Sequence, residues 1–408
     1  MNMNISDQYC ETGSDFQKFE EKVKEMADST EVIKYPKKKC EILSVFDLAG
    51  KKALISLTPE KPVKVNKRSA TLKLIKYDRD LFVKKYSEQV IDETESLGFY
   101  LCFTKHKDKA LPVSTLAINS IQNRTCLGGP SFGVSSLGRN LSIAENLSSD
   151  DDLSIVCRSD ESTGEKKIFA LMSKDYQLID QKIIKDVIEK LMAEKIEGLG
   201  YPVCDMWEIN HEITRIYLTF PESAAELMET YKLPDTMTPG IMIETSDIGL
   251  CSFRIMGYFK FHGSLFFTKE NFSKIHSGDI SVANIMDAAE KIFPKFTVYP
   301  EKLMNLLAID VAPTEMPAEE RRETIHSVID DILNSTEIAK MLGKKRRKAL
   351  NDEIDKWIAE SNPVTAYDIA EFIMSLDTFD TVSQSKQLQR NIQVASVGVL
   401  DYDFSEFI

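Results

Sequence analysis

His211-Glu212-Ile213-Thr214-Arg215 opens like the zinc-protease pattern His-Glu-x-x-His. That chemistry needs a second histidine one helical turn on, so that both rings face one metal. Arg215 holds that position, and the flanking residues read as a hairpin. The five histidines, His106, His211, His262, His276 and His326, show no ligand spacing. Asp150-Asp151-Asp152 could offer oxygens to a divalent cation, but after Ser148 and Ser149 a solvated acidic turn is the better reading. Gly128, Gly129, Gly133 and Gly138 could cradle a phosphate with backbone N–H groups. The run Gly128-Gly129-Pro130-Ser131-Phe132-Gly133 fits neither nucleotide fingerprint, so a plain loop is expected. No serine, cysteine or lysine pairs with a base from sequence alone. No catalytic residue, metal site or cofactor is assigned, and the chain is read as non-enzymatic.

Charge carries the remaining signal. Lys37, Lys38 and Lys39 stand near Lys64, Lys67, Arg68 and Lys73 on expected strands, with Tyr77 and Phe82 close by. Lysines beside aromatics are the ingredients for gripping single strands of nucleic acid. From Glu31 to Lys85 there are 15 Lys or Arg against 6 Asp or Glu, within a chain of net charge -13. A second cluster, Lys344, Lys345, Arg346, Arg347 and Lys348, sits at a predicted helix start. Positive charge there opposes the helix dipole. The alternative is a solvated face balanced by Asp352, Glu353 and Asp355. The final residues, Leu400 to Ile408, alternate acidic and aromatic side chains. They are similar to the acidic tails of bacterial single-stranded-DNA-binding proteins, although a docked segment or final strand is favoured.

These residues must be held by a chain of 408 residues, 43% hydrophobic and 28% charged, long enough for two or three structural units. No apolar run approaches the ~18 residues of a membrane helix, so no membrane contact is expected. The first twenty residues are polar and acidic, and no export signal is expected. Seven scattered cysteines without C-x-x-C spacing point to reduced thiols.

An opening helix is expected from Ser14 and Gln17, at capping-box spacing, and the helical period of Phe16, Phe19, Val23 and Met26. Short strands at Glu41–Phe46, Ala53–Leu57 and Ala70–Lys76 precede a helix over Asp78 to Leu97 that Gly98 stops. Further strands are expected at Leu153–Arg158, Lys167–Met172, Val203–Glu208, Thr214–Phe220, Ile241–Glu244 and Leu250–Met256. Beyond Val282 the pattern is nearly all helical. The expectation is an α+β protein with a mixed, largely antiparallel sheet core, flanking helices and a mostly helical C-terminal region. Its segments would be a basic 1–98, a core 99–280 and a helical 281–408 with the acidic aromatic tail.

Ala170-Leu171-Met172-Ser173-x-x-Tyr176-x-x-Ile179-Asp180 and the later Thr245-Ser246-Asp247-Ile248-Gly249 carry a resemblance. On these residues the chain resembles the phage/plasmid-like protein family known as domain of unknown function 932. Thr245 stands where that family has asparagine. From their types, Ser173 would end a strand, Tyr176 would plug the core and Asp180 would cap a helix; the resemblance implies that Ser246 and Gly249 make a turn between strands. The resemblance implies a protein of phages or plasmids made in the bacterial cytoplasm. Two functions follow as expectations. One is a DNA-transaction accessory that binds single-stranded DNA, alone or as a homo-oligomer, in replication or recombination. The other is a virion or anti-defence protein that acts on phage or host proteins.

Overall fold

In the computed structural model the described residues are 3–48, 51–59, 70–74, 85–102, 110–125, 136–147, 152–176, 178, 181–196, 199–232, 237–261, 264–274, 282–283, 298–361, 363–383 and 386–407. Val203–Asn210 and Thr214–Thr219 form the expected hairpin. The Asn210 carboxamide closes it by accepting from the backbone N–H groups of Glu212 and Ile213, each at 2.8 Å. Among the described residues this hairpin belongs to a six-stranded antiparallel sheet, in the order Cys10–Gly13, Val203–Asn210, Thr214–Thr219, Thr238–Thr245, Phe253–Phe261 and Ser264–Lys274. Alternation sends Trp207, Ile216, Leu218, Ile241 and Ile255 to one face.

Helices cover that face. In Phe16–Ser29 the buried residues are Phe19, Val23, Met26 and Ser29, as the period requires. Its cap is Asp15 rather than Ser14: the Asp15 carboxylate accepts from the N–H of Gln17 at 2.9 Å and of Lys18 at 3.3 Å. Gln181–Ala193 adds Ile184, Val187, Ile188 and Leu191 to the same core. The C-terminal region supplies Val298–Leu307, Ala318–Ser335, Ile338–Glu360, Ala366–Met374 and Lys386–Ser396. One apolar cluster holds Phe19, Ile241 and Ile369, so the three expected segments share a core.

Also among the described residues, a three-stranded antiparallel sheet joins Thr30–Pro36, Asp152–Ser159 and Lys166–Ser173. A five-stranded one runs Ala70–Leu74, Lys51–Pro59, Glu41–Leu48, Phe99–Cys102, Ala110–Leu111. Pairing crosses the expected boundary at 98, since Ser44 lies opposite Phe99. The architecture is therefore α+β, with antiparallel sheets and a helical C-terminal region. Among the described residues no helix is long and apolar enough to cross a membrane.

Three local expectations are corrected. The helix that ends at Gly98 begins at Glu88, because the Glu165 carboxylate takes the Ser87 N–H at 2.5 Å and fixes residues 85–87 as a turn; the expected stretch from 78 to 84 lies outside the described residues. Gly138 lies inside the helix Ser136–Asn146 rather than in a loop. The strand expected from Leu250 starts at Phe253, since the chain turns through Ser246–Gly249 first.

Candidate functional site

Arg158 and Lys167 lie directly opposite each other on adjacent strands and are both buried. Two cations side by side without water must find partners. Lys167 Nζ donates to the Asp7 carboxylate at 2.7 Å and to the Glu93 carboxylate. Asp7 also accepts from the Ser114 hydroxyl at 2.6 Å and from the Thr115 N–H at 2.8 Å. Arg158 Nη1 donates to His211 Nδ1 at 2.7 Å and to the His211 carbonyl at 2.8 Å, while Nη2 lies 3.6 Å from the Asp247 carboxylate. His211 Nδ1 thus accepts, so Nε2 carries the proton it donates to the Asn4 carbonyl at 2.9 Å. Burial and the neighbouring guanidinium hold the His211 pKa well below its ordinary value. The Phe169 ring lies between the cations, 5.2 Å from Arg158 Cζ and 5.7 Å from Lys167 Nζ. This network clamps residues 4–7 onto the three-stranded sheet. It leaves His211, once the head of a protease-like motif, as a neutral structural ring.

The two segments that carry the family resemblance meet beside it. Ser173 ends its strand, and its carbonyl accepts from the Tyr176 N–H at 3.0 Å. Tyr176 is buried and its hydroxyl donates to the Asp247 carbonyl at 2.6 Å. Burial pushes the phenol pKa up, reinforced by the Asp247 charge. Gly249 has φ +76°, and a Cβ there would collide with the methyl of Met172. The Ser246 hydroxyl accepts from the Leu250 N–H at 3.2 Å and ties the turn. Asp180 lies outside the described residues, directly before the helix Gln181–Ala193. Burial also pushes the Cys157 thiol, on the neighbouring strand, up to about 12.

The basic clusters fare differently. Lys37, expected on a basic surface, is only 7% exposed within the turn Lys37–Lys39, while Lys39 is exposed. That turn points its first lysine inward, so Lys37 is withdrawn from the surface and the expectation is corrected. Lys38 has a described backbone only. Lys64, Lys67 and Arg68 lie outside the described residues, as does Tyr77. Lys73 is placed in a strand opposite Ser56. The second cluster sits at a helix start as expected: Gly343, at φ +65°, breaks Ile338–Glu360, and the segment from Lys344 begins anew. Lys344, Lys345 and Lys348 are exposed; Arg346 and Arg347 are partly covered. Arg347 pairs with Asp330 of the preceding helix at 2.9 Å. Two of the three acids expected to balance this cluster are engaged elsewhere. Asp355 accepts from Arg322 at 2.7 Å and His326 at 2.8 Å, which hold its carboxyl well below the usual range. Glu353 accepts from Lys356 at 2.7 Å.

A groove of about 740 Å³ opens between the last turns of Ile338–Glu360, the helix Ala366–Met374 and the chain as far as Phe379. Trp357, Phe372 and Phe379 line it. The first two rings are tilted by 30° with centroids 4.7 Å apart; the last two meet edge to face at 5.7 Å. Glu353, Glu360, Asp368 and Glu371 surround them, and among the described residues Lys356 is the single basic one in the lining. Asp368 also closes a capping box with Thr365, accepting from its N–H and hydroxyl at 2.7 Å each. Such a lining suits an ammonium or guanidinium group: ring faces attract the cation and carboxylates neutralise it. The sequence reading assigned nothing here. The spacing of Glu353, Trp357 and Glu360, one helical face, was the available signal.

The chain matches no family model, no curated protein and no solved structure. The phage/plasmid-like resemblance rests on the residues quoted for it.

Proposed function

We propose that this is a non-enzymatic binding protein that grips a basic, partly apolar protein segment in the groove around Trp357. The observation that carries the reading is one groove whose described lining holds three aromatic rings and four carboxylates against a single lysine, with Glu353 already meeting that lysine and Asp368 capping its helix. A lysine or arginine laid over Trp357 gains about 0.5–1 kcal/mol at an exposed site and ~2 kcal/mol when desolvated. Its aliphatic stem covers the rings while its head stays among the carboxylates. This corresponds to the expectation of a protein that acts through contacts with phage or host proteins. Calorimetric titration of the full chain with a short Lys/Arg-rich peptide tests it. Binding is expected to weaken with salt and in Glu360→Gln/Glu371→Gln; no heat at low salt contradicts the reading.

Single-stranded DNA is a second reading, supported by the exposed Lys344, Lys345 and Lys348 at a helix start, where N–H groups also favour phosphate. Against it, Val298 to Phe407 carries 12 Lys or Arg and 20 Asp or Glu. Charge reversal at those lysines is expected to abolish any salt-sensitive DNA binding, while binding that survives reversal contradicts this second reading.

A further inference from the structure

We propose that the strand Thr30–Pro36 is a docking edge that takes an extended, apolar segment of another protein with a carboxylate opposite Lys34. The three-stranded sheet has two unlike edges. At Lys166–Ser173 the edge is closed: the Ile168 N–H donates to the Pro112 carbonyl at 3.0 Å, and the Ile168 carbonyl accepts from the Ser114 N–H at 2.8 Å. Among the described residues no strand pairs with the outer side of Thr30–Pro36. Its inner side pairs with Asp152–Ser159 over seven consecutive residues without a register shift. In such a ladder alternate residues turn both N–H and C=O away from the partner strand. A regular edge of this kind is a template for one more strand. Its protection is slight, since no bulge interrupts it and Pro36 stands only at its end. Exposure agrees: Leu153 to Arg158 on the middle strand are buried, whereas every residue of Thr30–Pro36 is exposed or half-buried.

The side chains define what the added strand carries. Val32 packs against the cluster of Val156 and Phe169 on one face of the sheet. Ile33 and Tyr35 pack against the cluster of Leu153 and Ile155 on the other. All three are half-buried at the margins of those clusters, so apolar residues on both faces of an added strand would complete them. Lys34 is exposed opposite Ser154, and among the described residues no carboxylate pairs with it. Glu31 is already paired with Lys166. A second copy of this edge does not supply the missing charge. Across a two-fold axis perpendicular to the sheet one residue faces itself, so facing residues always differ by an even number. Glu31 of one copy and Lys34 of the other then fall on opposite faces. A different chain with an acid at that position fits.

Fluorescence anisotropy of labelled synthetic peptides titrated with the full chain tests this. The probe is a peptide of residues 152–159, whose apolar pattern already pairs with this strand from its inner side. One version carries Cys157→Ala and Ser154→Glu, the other Cys157→Ala and Ser154→Lys. The wild-type chain is expected to bind the Ser154→Glu peptide saturably and about fivefold more tightly than the Ser154→Lys peptide, because like charges directly opposite each other repel. Lys34→Glu, with its fold confirmed by circular dichroism, is expected to invert that preference. Hydrogen exchange is expected to slow at residues 31–34 when the peptide binds. No anisotropy change with either peptide, a preference that Lys34→Glu leaves in place, or protection gained only elsewhere overturns the proposal. Self-association of the chain that protects residues 31–34 without peptide also overturns it, by making the occupant a second copy.

Discussion

The molecule holds two charged regions with similar residues and opposite fates. Around Arg158 and Lys167, cations, carboxylates and a phenylalanine ring are buried, and Lys167 meets both Asp7 and Glu93. Around Trp357, carboxylates and aromatic rings face an open groove with one lysine among them. Low dielectric makes a buried charge costly to leave unpaired, so the first region serves to fix the chain. The second is open to solvent, and the proposed reading has it exchange water for a ligand. On that reading burial, rather than residue type, separates structure from recognition.

The sharpest way to break this comparison is to remove one buried cation. Lys167→Met should leave Asp7 and Glu93 facing each other and cost about 3–5 kcal/mol, measured by urea denaturation. A loss under about 1 kcal/mol would mean the network is hydrated after all.

Next in size is the response to acid. An unfolded histidine protonates near pH ~6.5, whereas buried His211 does so only far lower. Between those values the unfolded chain binds the extra proton, so stability falls as pH drops below ~6.5, by up to about 1.4 kcal/mol per unit from this residue. His211→Gln is expected to flatten that slope; a wild-type slope that survives the change would assign it elsewhere.

Smaller still is Tyr176→Phe, which removes the donor to the Asp247 carbonyl and should cost about 1–2 kcal/mol while keeping the ring. The full truncation Tyr176→Ala should approach about 3–5 kcal/mol. At the other region, Glu360→Gln/Glu371→Gln is expected to move stability by less than about 0.5 kcal/mol while weakening peptide binding. Equal effects on both would erase the contrast between the regions.

Much of the fold was legible because its signals are local. The helical period of Phe16, Phe19, Val23 and Met26, the stop at Gly98 and the hairpin at His211 all hold. The Ser173–Tyr176 turn and the anchoring role of Tyr176 hold too. The strand Thr30–Pro36 was not expected, because it follows the helix at Ser29 with no turn residue to mark the change. Thr30 nonetheless pairs with Arg158, a partner far along the chain. The burial of Arg158, Lys167 and Lys37 was equally hidden, since a sequence does not say which cations a distant carboxylate will meet. The groove was half legible. Glu353, Trp357 and Glu360 share a helical face, but Phe372 and Phe379 join them only through the packing of the next helix.

Intrinsic fluorescence tests the central claim most directly. The chain has two tryptophans, of which Trp207 is 2% exposed and Trp357 lines the groove. Titration of the full chain with a short Lys/Arg-rich peptide that lacks tryptophan, at low salt, is expected to give a saturable emission change. That change should vanish in Trp357→Phe and weaken in Glu360→Gln/Glu371→Gln. An unchanged wild-type emission, or a response that persists without Trp357, would contradict a cation-binding groove at this site.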